Sequence, residues 1–142
     1  MPVRKAEARW KGDLKSGKGT MKMAGWEGPY SFVSRFEEGD GTNPEELLAA
    51  AHAGCFSMAF SNELAKAGHT PNSVNTTAHV HLNMTDDGPS INEIRLVTVA
   101  DVPGIDEDTF QKTAEAAKNA CPVSQLFKKS AEISVDATLQ AG

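Results

Sequence analysis

Residues 47–60 read LLAAAHAGCFSMAF, a run that is apolar or small on nearly every side. Its start is marked by GTNPEEL: Asn43 suits a helix cap, Pro44 the first helical position, and Glu46 the place from which a carboxylate reaches back to the cap. Its end is marked by Lys66, Ala67 and Gly68, a basic last turn followed by a glycine stop. A helix with no polar face cannot lie on a surface; other chain must wrap it. With 142 residues and 39% hydrophobic composition, the chain supports one core, so residues 1–142 are expected to form one domain. One small domain offers less cover than such a helix needs, and an intertwined homodimer is the expected remedy.

Strand patterns flank the helix. Residues 7–10, 19–23 and 30–36 alternate apolar and polar and are divided by GDLKSGKG and AGWEGP, which reads as a meander. Beyond the helix, SVNTTAHVHLNMT places Val80, Leu82 and Met84 on one face, and NEIRLVTVADV continues the phase through Ile94, Leu96 and Val102, with a turn at DDGPS. IDEDTFQKTAEAAKNA has Phe110, Ala114 and Ala117 on one helical stripe, and SAEISVDATLQ supplies a last strand through Ile133, Val135 and Ala137. This order, without strict alternation of strand and helix, predicts an α+β fold: antiparallel sheets enclosing a long buried central helix.

Charge and hydropathy narrow the function. A net charge of −5 with no basic run gives no electrostatic footprint for a phosphate backbone, so nucleic acid is not an expected partner. No segment reaches the roughly 18 apolar residues of a membrane span, and the opening MPVRKAEARWKGDLK lacks the apolar stretch of an export signal. A cytoplasmic location without membrane attachment is therefore expected. In a reducing compartment, two cysteines are poor material for a permanent staple, and any pairing between them would be transient and chemical.

Cys121 precedes Pro122 in NACPVSQLF, which makes it the cap of a short helix, where free N–H groups stabilise a thiolate. Cys55, inside the apolar helix, behaves by local rules as a small core residue with a raised pKa, and its reactivity would need a nearby cation. Two candidates lie close in sequence: His52, one turn earlier on the same face, and Arg35, at the close of the strand before the helix. Glu45, in the first helical turn, is separated from Cys55 by about 15 Å of straight helix; a long arginine between them could meet both. His52 could alternatively be a general base for a thiol hydrolase, and His79 with His81 share one strand face without an evident third metal ligand.

RFEEGDGTNPEELLAAAHAGCFSMAFS together with NACPVSQ resembles the OsmC/Ohr family, and more closely its OsmC branch. The resemblance extends to ARWKGDLKSGKGT at the start and to the VPGID turn, covering nearly the whole chain. It implies an intertwined homodimer with long central helices, and a thiol peroxidase that reduces organic hydroperoxides without cofactor or metal. By motif match, Cys55 would be the peroxidatic cysteine, Cys121 the resolving cysteine, and Arg35 with Glu45 the pair that activates the thiolate and orients the peroxide. The resemblance thus sets aside the local reading of Cys55 as core. It implies a Cys55 to Cys121 disulfide reopened by a dithiol such as dihydrolipoamide, free or carried on a lipoylated protein.

Leu48, Phe56 and Met58 are candidates to hold the organic part of the peroxide, with a core role as the alternative. Two other functions fit the residues alone: a redox sensor in which the same cysteines pair once without turnover, and a hot-dog-type thioesterase, which would need neither cysteine. The dimer expectation is checked by sedimentation of the dilute protein, which should give about twice the 15.1 kDa chain mass. A monomeric mass contradicts it.

Overall fold

Glycine turns fold the N-terminal segments back on themselves. In a computed structural model describing residues 1–140, β1 (Glu7–Lys11), β2 (Lys18–Met23) and β3 (Trp26–Tyr30) form an antiparallel sheet in that order. Trp10 and Tyr30 stack across β2 with ring centroids 5.3 Å apart. Gly19 lies under both rings: a Cβ there would come within 2.5 Å of Tyr30 and 2.6 Å of Trp10. The third strand falls earlier than its alternation suggested. Gly25 takes φ 75°, closing a tight turn after Met23 and starting β3 at Trp26.

The segment expected to continue that strand is instead helix α1 (Phe32–Phe36). Ser31 Oγ accepts the Ser34 backbone N–H at 3.1 Å, and Ser34 Oγ accepts the Ser31 N–H at 2.8 Å. This reciprocal box, built from two serines, satisfies both donors and turns the chain into helix. Arg35 therefore sits in α1 and does not close a strand.

Helix α2 (Pro44–Lys66) begins and ends where the sequence marked it. Asn43 Oδ1 accepts the Glu46 N–H at 2.7 Å, while Glu46 itself turns to accept from Thr42 Oγ1 at 3.0 Å in place of completing a box. At the far end Gly68 takes φ 91°, with His69 N–H on Leu64 O at 2.9 Å and Gly68 N–H on Ala65 O at 3.0 Å, which satisfies two of the last carbonyls. The chain packs as two compact units, Met1–Leu47 and the remainder from Leu48 onward.

The second unit has strands β4 (Ser73–Thr85) and β5 (Gly88–Asp101), helices α3 (Glu107–Ala120) and α4 (Pro122–Phe127), and strand β6 (Glu132–Leu139), with sheet order β4-β5-β6. β4 and β5 pair antiparallel, with an irregularity in register between His81 and Leu82, and Met84, near the end of β4, is exposed. β6 runs parallel to β5, which corrects the expectation of wholly antiparallel sheets. The physical reason is the connection: a chain that returns through α3 and α4 arrives in the direction it left, as in any helical crossover.

Phe56, Phe60 and Leu64 of α2, Ile94, Leu96 and Ala100 of β5, and Phe110, Ala114 and Ala117 of α3 form the core of this unit. Phe60 stands at its centre, 5.6 Å from Phe56 and 5.3 Å from Phe110 between ring centroids. On α2 burial is one-sided. His52, Phe56, Phe60 and Leu64, four apart, are fully buried, whereas Ala51, Gly54, Met58 and Asn62 are exposed. The all-round burial read from the sequence is not reached within one chain.

No helix among the described residues is long and apolar enough to cross a membrane. Replacing Phe60 by alanine removes the ring on which α2 and α3 meet and should cost about 3–5 kcal/mol of unfolding free energy, measured by urea denaturation. A loss below about 1 kcal/mol would contradict this account of the core.

Candidate active site

The chemistry-bearing side chains fall into two groups, one in each unit. In the first, Ser34 Oγ donates to Thr42 O at 2.7 Å and Asn43 Nδ2 donates to Ser34 O at 3.0 Å, so the loop between α1 and α2 is fastened at both ends. That brings Arg35 to Glu45. Arg35 Nε donates to the two carboxylate oxygens at 3.1 and 3.3 Å, and Nη2 donates to Oε1 at 2.8 Å. Glu45 is 8% exposed, whereas the arginine side chain remains 35% exposed.

The carboxylate thus holds one edge of the guanidinium, fixes its plane, and leaves further N–H donors on the opposite edge. Phe36 lies under the guanidinium carbon at 5.2 Å. Trp10, Tyr30 and Phe32 line the cleft beside it, a space of about 230 Å³. A fixed, partly exposed cation in an aromatic cleft can bind an anionic or peroxidic oxygen.

In the second unit, α2 carries Cys55 and the junction between α3 and α4 carries Cys121. Cys121 ends α3 and caps α4, with Pro122 at the first helical position, as the sequence indicated. The two thiols are free and share one hydrogen bond, Cys121 Sγ donating to Cys55 Sγ at 3.0 Å. Cys121 is fully buried and Cys55 half-buried.

Burial pushes the Cys55 thiol above its ordinary pKa, and the second sulfur beside it adds to the rise. The backbone amide of Val123, in the first turn of α4, hydrogen-bonds Cys55 and works the other way. Closing from 3.0 Å to the roughly 2.05 Å of a disulfide needs only a small side-chain movement.

His52 does not serve Cys55 as a base. Its Nε2 lies 2.6 Å from Ser124 Oγ, and both residues are buried. Ser124 was not marked by the sequence reading, because a serine in the first turn of a helix ordinarily serves the backbone; the available signal was a histidine in a buried helix, which must find a partner. His79 and His81 are exposed on β4, and no group of three or more metal-ligating side chains occurs among the described residues. Of the apolar candidates, Phe56 is core and Met58 is 78% exposed, while Leu48 lines a cavity of about 270 Å³ with Ile91, Ile94, Leu126 and Phe127.

The family model described as OsmC-like protein matches residues 37–136, which include Glu45 and both cysteines and begin just after Arg35. Peroxiredoxin OsmC of Escherichia coli strain K12 is 49% identical over 97% of this chain and 97% of its own length. The chain belongs to the OsmC family. The organic hydroperoxide resistance protein of Xanthomonas axonopodis pv. citri is a more distant relative, 31% identical over 68% of this chain and 67% of its own.

Among solved structures, an OsmC-like protein from Mycoplasma pneumoniae superimposes with a TM-score of 0.74 at 19% identity, covering 99% of both chains. The organic hydroperoxide resistance protein OhrB of Bacillus subtilis gives 0.70 at 22%, covering 96% of this chain and 98% of its own. These two likenesses are to the OsmC fold.

The sulfur geometry predicts that mild oxidation with diamide links Cys55 to Cys121 within one chain. The expected result is a monomer band with shifted mobility on a non-reducing gel and no free thiol. Disulfide-linked dimers as the main product would contradict it.

Proposed function

We propose that this protein reduces organic hydroperoxides through a Cys55 sulfenic acid and a Cys55 to Cys121 disulfide. That the chain is a peroxidase follows from its family. The observation that supports the particular pathway is the 3.0 Å approach of its two sulfurs. Cys55, the more accessible sulfur, attacks the distal peroxide oxygen; the O–O bond breaks, Cys55 is oxidised to a sulfenic acid, and the alkoxide takes a proton and leaves as the alcohol. The Cys121 sulfur displaces hydroxide from the sulfenic acid and loses its proton, forming the disulfide and water. An external dithiol then attacks the disulfide, passes through a mixed disulfide, and leaves two thiols and its own oxidised form.

Burial alone opposes the thiolate, so the chemistry requires a cation. In this reading Arg35, held by Glu45, lowers the pKa of Cys55 and stabilises the charge that develops on the departing oxygen. No metal or resident cofactor is required. The apolar cavity lined by Leu48 lies about 10 Å along α2 from Cys55 and suits the organic part of the peroxide. The exposed small face of α2 at Ala51, Gly54 and Met58 suits a second copy of the chain, which gives the homodimer. Dihydrolipoamide or a lipoylated protein is the proposed source of the dithiol.

Replacing Cys55 by serine should abolish hydroperoxide consumption, whereas Cys121→Ser should permit one turnover and stop at a sulfenic acid, followed by peroxide assay and intact mass. The reverse pattern would contradict the assignment. Arg35→Met should lower kcat/KM for an organic hydroperoxide by about 100-fold. Without the cation, burial governs Cys55, so the midpoint of its alkylation rate against pH should move upward; an unchanged profile would remove Arg35 from the mechanism.

A further inference from the structure

His52 is fully buried, yet the proposed chemistry makes no use of it. Its Nε2 meets Ser124 Oγ at 2.6 Å, its ring stands edge-on to Phe127 with centroids 5.4 Å apart, and its Nδ1 has no hydrogen-bond partner. A residue that only filled this space would be phenylalanine or leucine, since a polar ring with one nitrogen unpaired is costly in the core. The pair is no hydrolytic dyad: Ser124 is 2% exposed and His52 wholly enclosed, so neither can meet a substrate.

What the pair joins is more informative. Ser124 and Phe127 are three apart and share a face of α4. α4 has six residues and no side-chain capping bond at Cys121. So short a helix has no stability of its own, and side-chain contacts decide where it sits. His52 lies one turn before Cys55 on α2, and Ser124 lies one turn after Cys121. Burial lowers the basicity of His52, which favours its neutral form in this contact.

We propose that the His52–Ser124 hydrogen bond is a positioning tie that holds α4 against α2, keeping the Cys121 sulfur within reach of Cys55 while the disulfide closes. The inference rests on the peroxidase pathway above and concerns its second step. There the Cys55 sulfenic acid has two fates. Attack by Cys121 gives the disulfide and water; a second hydroperoxide gives a sulfinic acid and a second alcohol, which the dithiol cannot reverse. A fixed partner at short range wins this competition through its effective concentration, and a loose α4 forfeits it.

The test compares wild type with Ser124→Ala, with the double variant His52→Phe, Ser124→Ala, and with His52→Gln. The double variant leaves no buried polar atom unpaired, so it retains packing without the bond. Glutamine offers Ser124 Oγ both a donor and an acceptor. Each reduced protein is titrated with an organic hydroperoxide, and intact mass divides Cys55 between disulfide and sulfinic acid. In Ser124→Ala and the double variant the fraction of oxidised Cys55 that ends as sulfinic acid should rise about tenfold at fixed peroxide. His52→Gln should partition near wild type. An unchanged partition in the double variant would overturn the tie.

A second readout needs no peroxide. The equilibrium between the Cys55–Cys121 dithiol and disulfide in a dithiothreitol redox buffer should shift about tenfold toward the dithiol in the double variant. An unshifted equilibrium would overturn the tie. If wild-type thiols resist peroxide while this shift appears, the peroxidase pathway fails and the positioning role of His52 stands.

Discussion

The packing of one face of α2 fixes nearly everything else about the cysteines. Phe56, Phe60 and Leu64 lock the helix against α3 and β5, which leaves it no freedom to rotate about its axis. Because its rotation is fixed, the direction of Cys55 is fixed as well. The same core holds α3, whose last residue leads directly into Cys121. Two sulfurs far apart in sequence are thereby brought to 3.0 Å without a covalent link.

That arrangement carries an internal conflict, and the conflict is informative. Burial and a neighbouring sulfur both push the Cys55 thiol toward its protonated form, whereas attack on a peroxide requires the thiolate. A structural cysteine would tolerate this indefinitely. A reactive one needs positive potential, and the chain contains an arginine whose orientation is set by a bidentate carboxylate while its remaining donors stay accessible. Glu45 gives the cation direction without removing its exposure. At the sulfur itself, the amide of Val123 favours the thiolate.

The sequence made much of this legible where local chemistry leaves one choice. Asn43–Pro44 and Gly68 mark the ends of α2, and Pro122 marks the start of α4, because caps and ring constraints act on the residues beside them. The stripe of Phe110, Ala114 and Ala117 is a periodicity that survives in the fold. What failed depended on information outside the segment. Residues 30–36 alternate like a strand, but a pair of serines capping each other makes a helix there. The direction of β6 depends on its crossover, which no strand pattern encodes. Helix spacing suggested that a long arginine could reach Glu45, and family resemblance named it as Arg35; Cys55 and Cys121 were paired by resemblance alone, since spacing gave no reason for that contact. His52 with Ser124 had neither source.

The central claim is that peroxide drives the two sulfurs into one reversible bond. Its most direct test is the intact mass and free-thiol count of the reduced protein before and after one equivalent of an organic hydroperoxide, followed by dihydrolipoamide. The account predicts loss of two hydrogens and of both thiols, each restored by the dithiol. Survival of both thiols would make Cys55 a core residue and contradict the account.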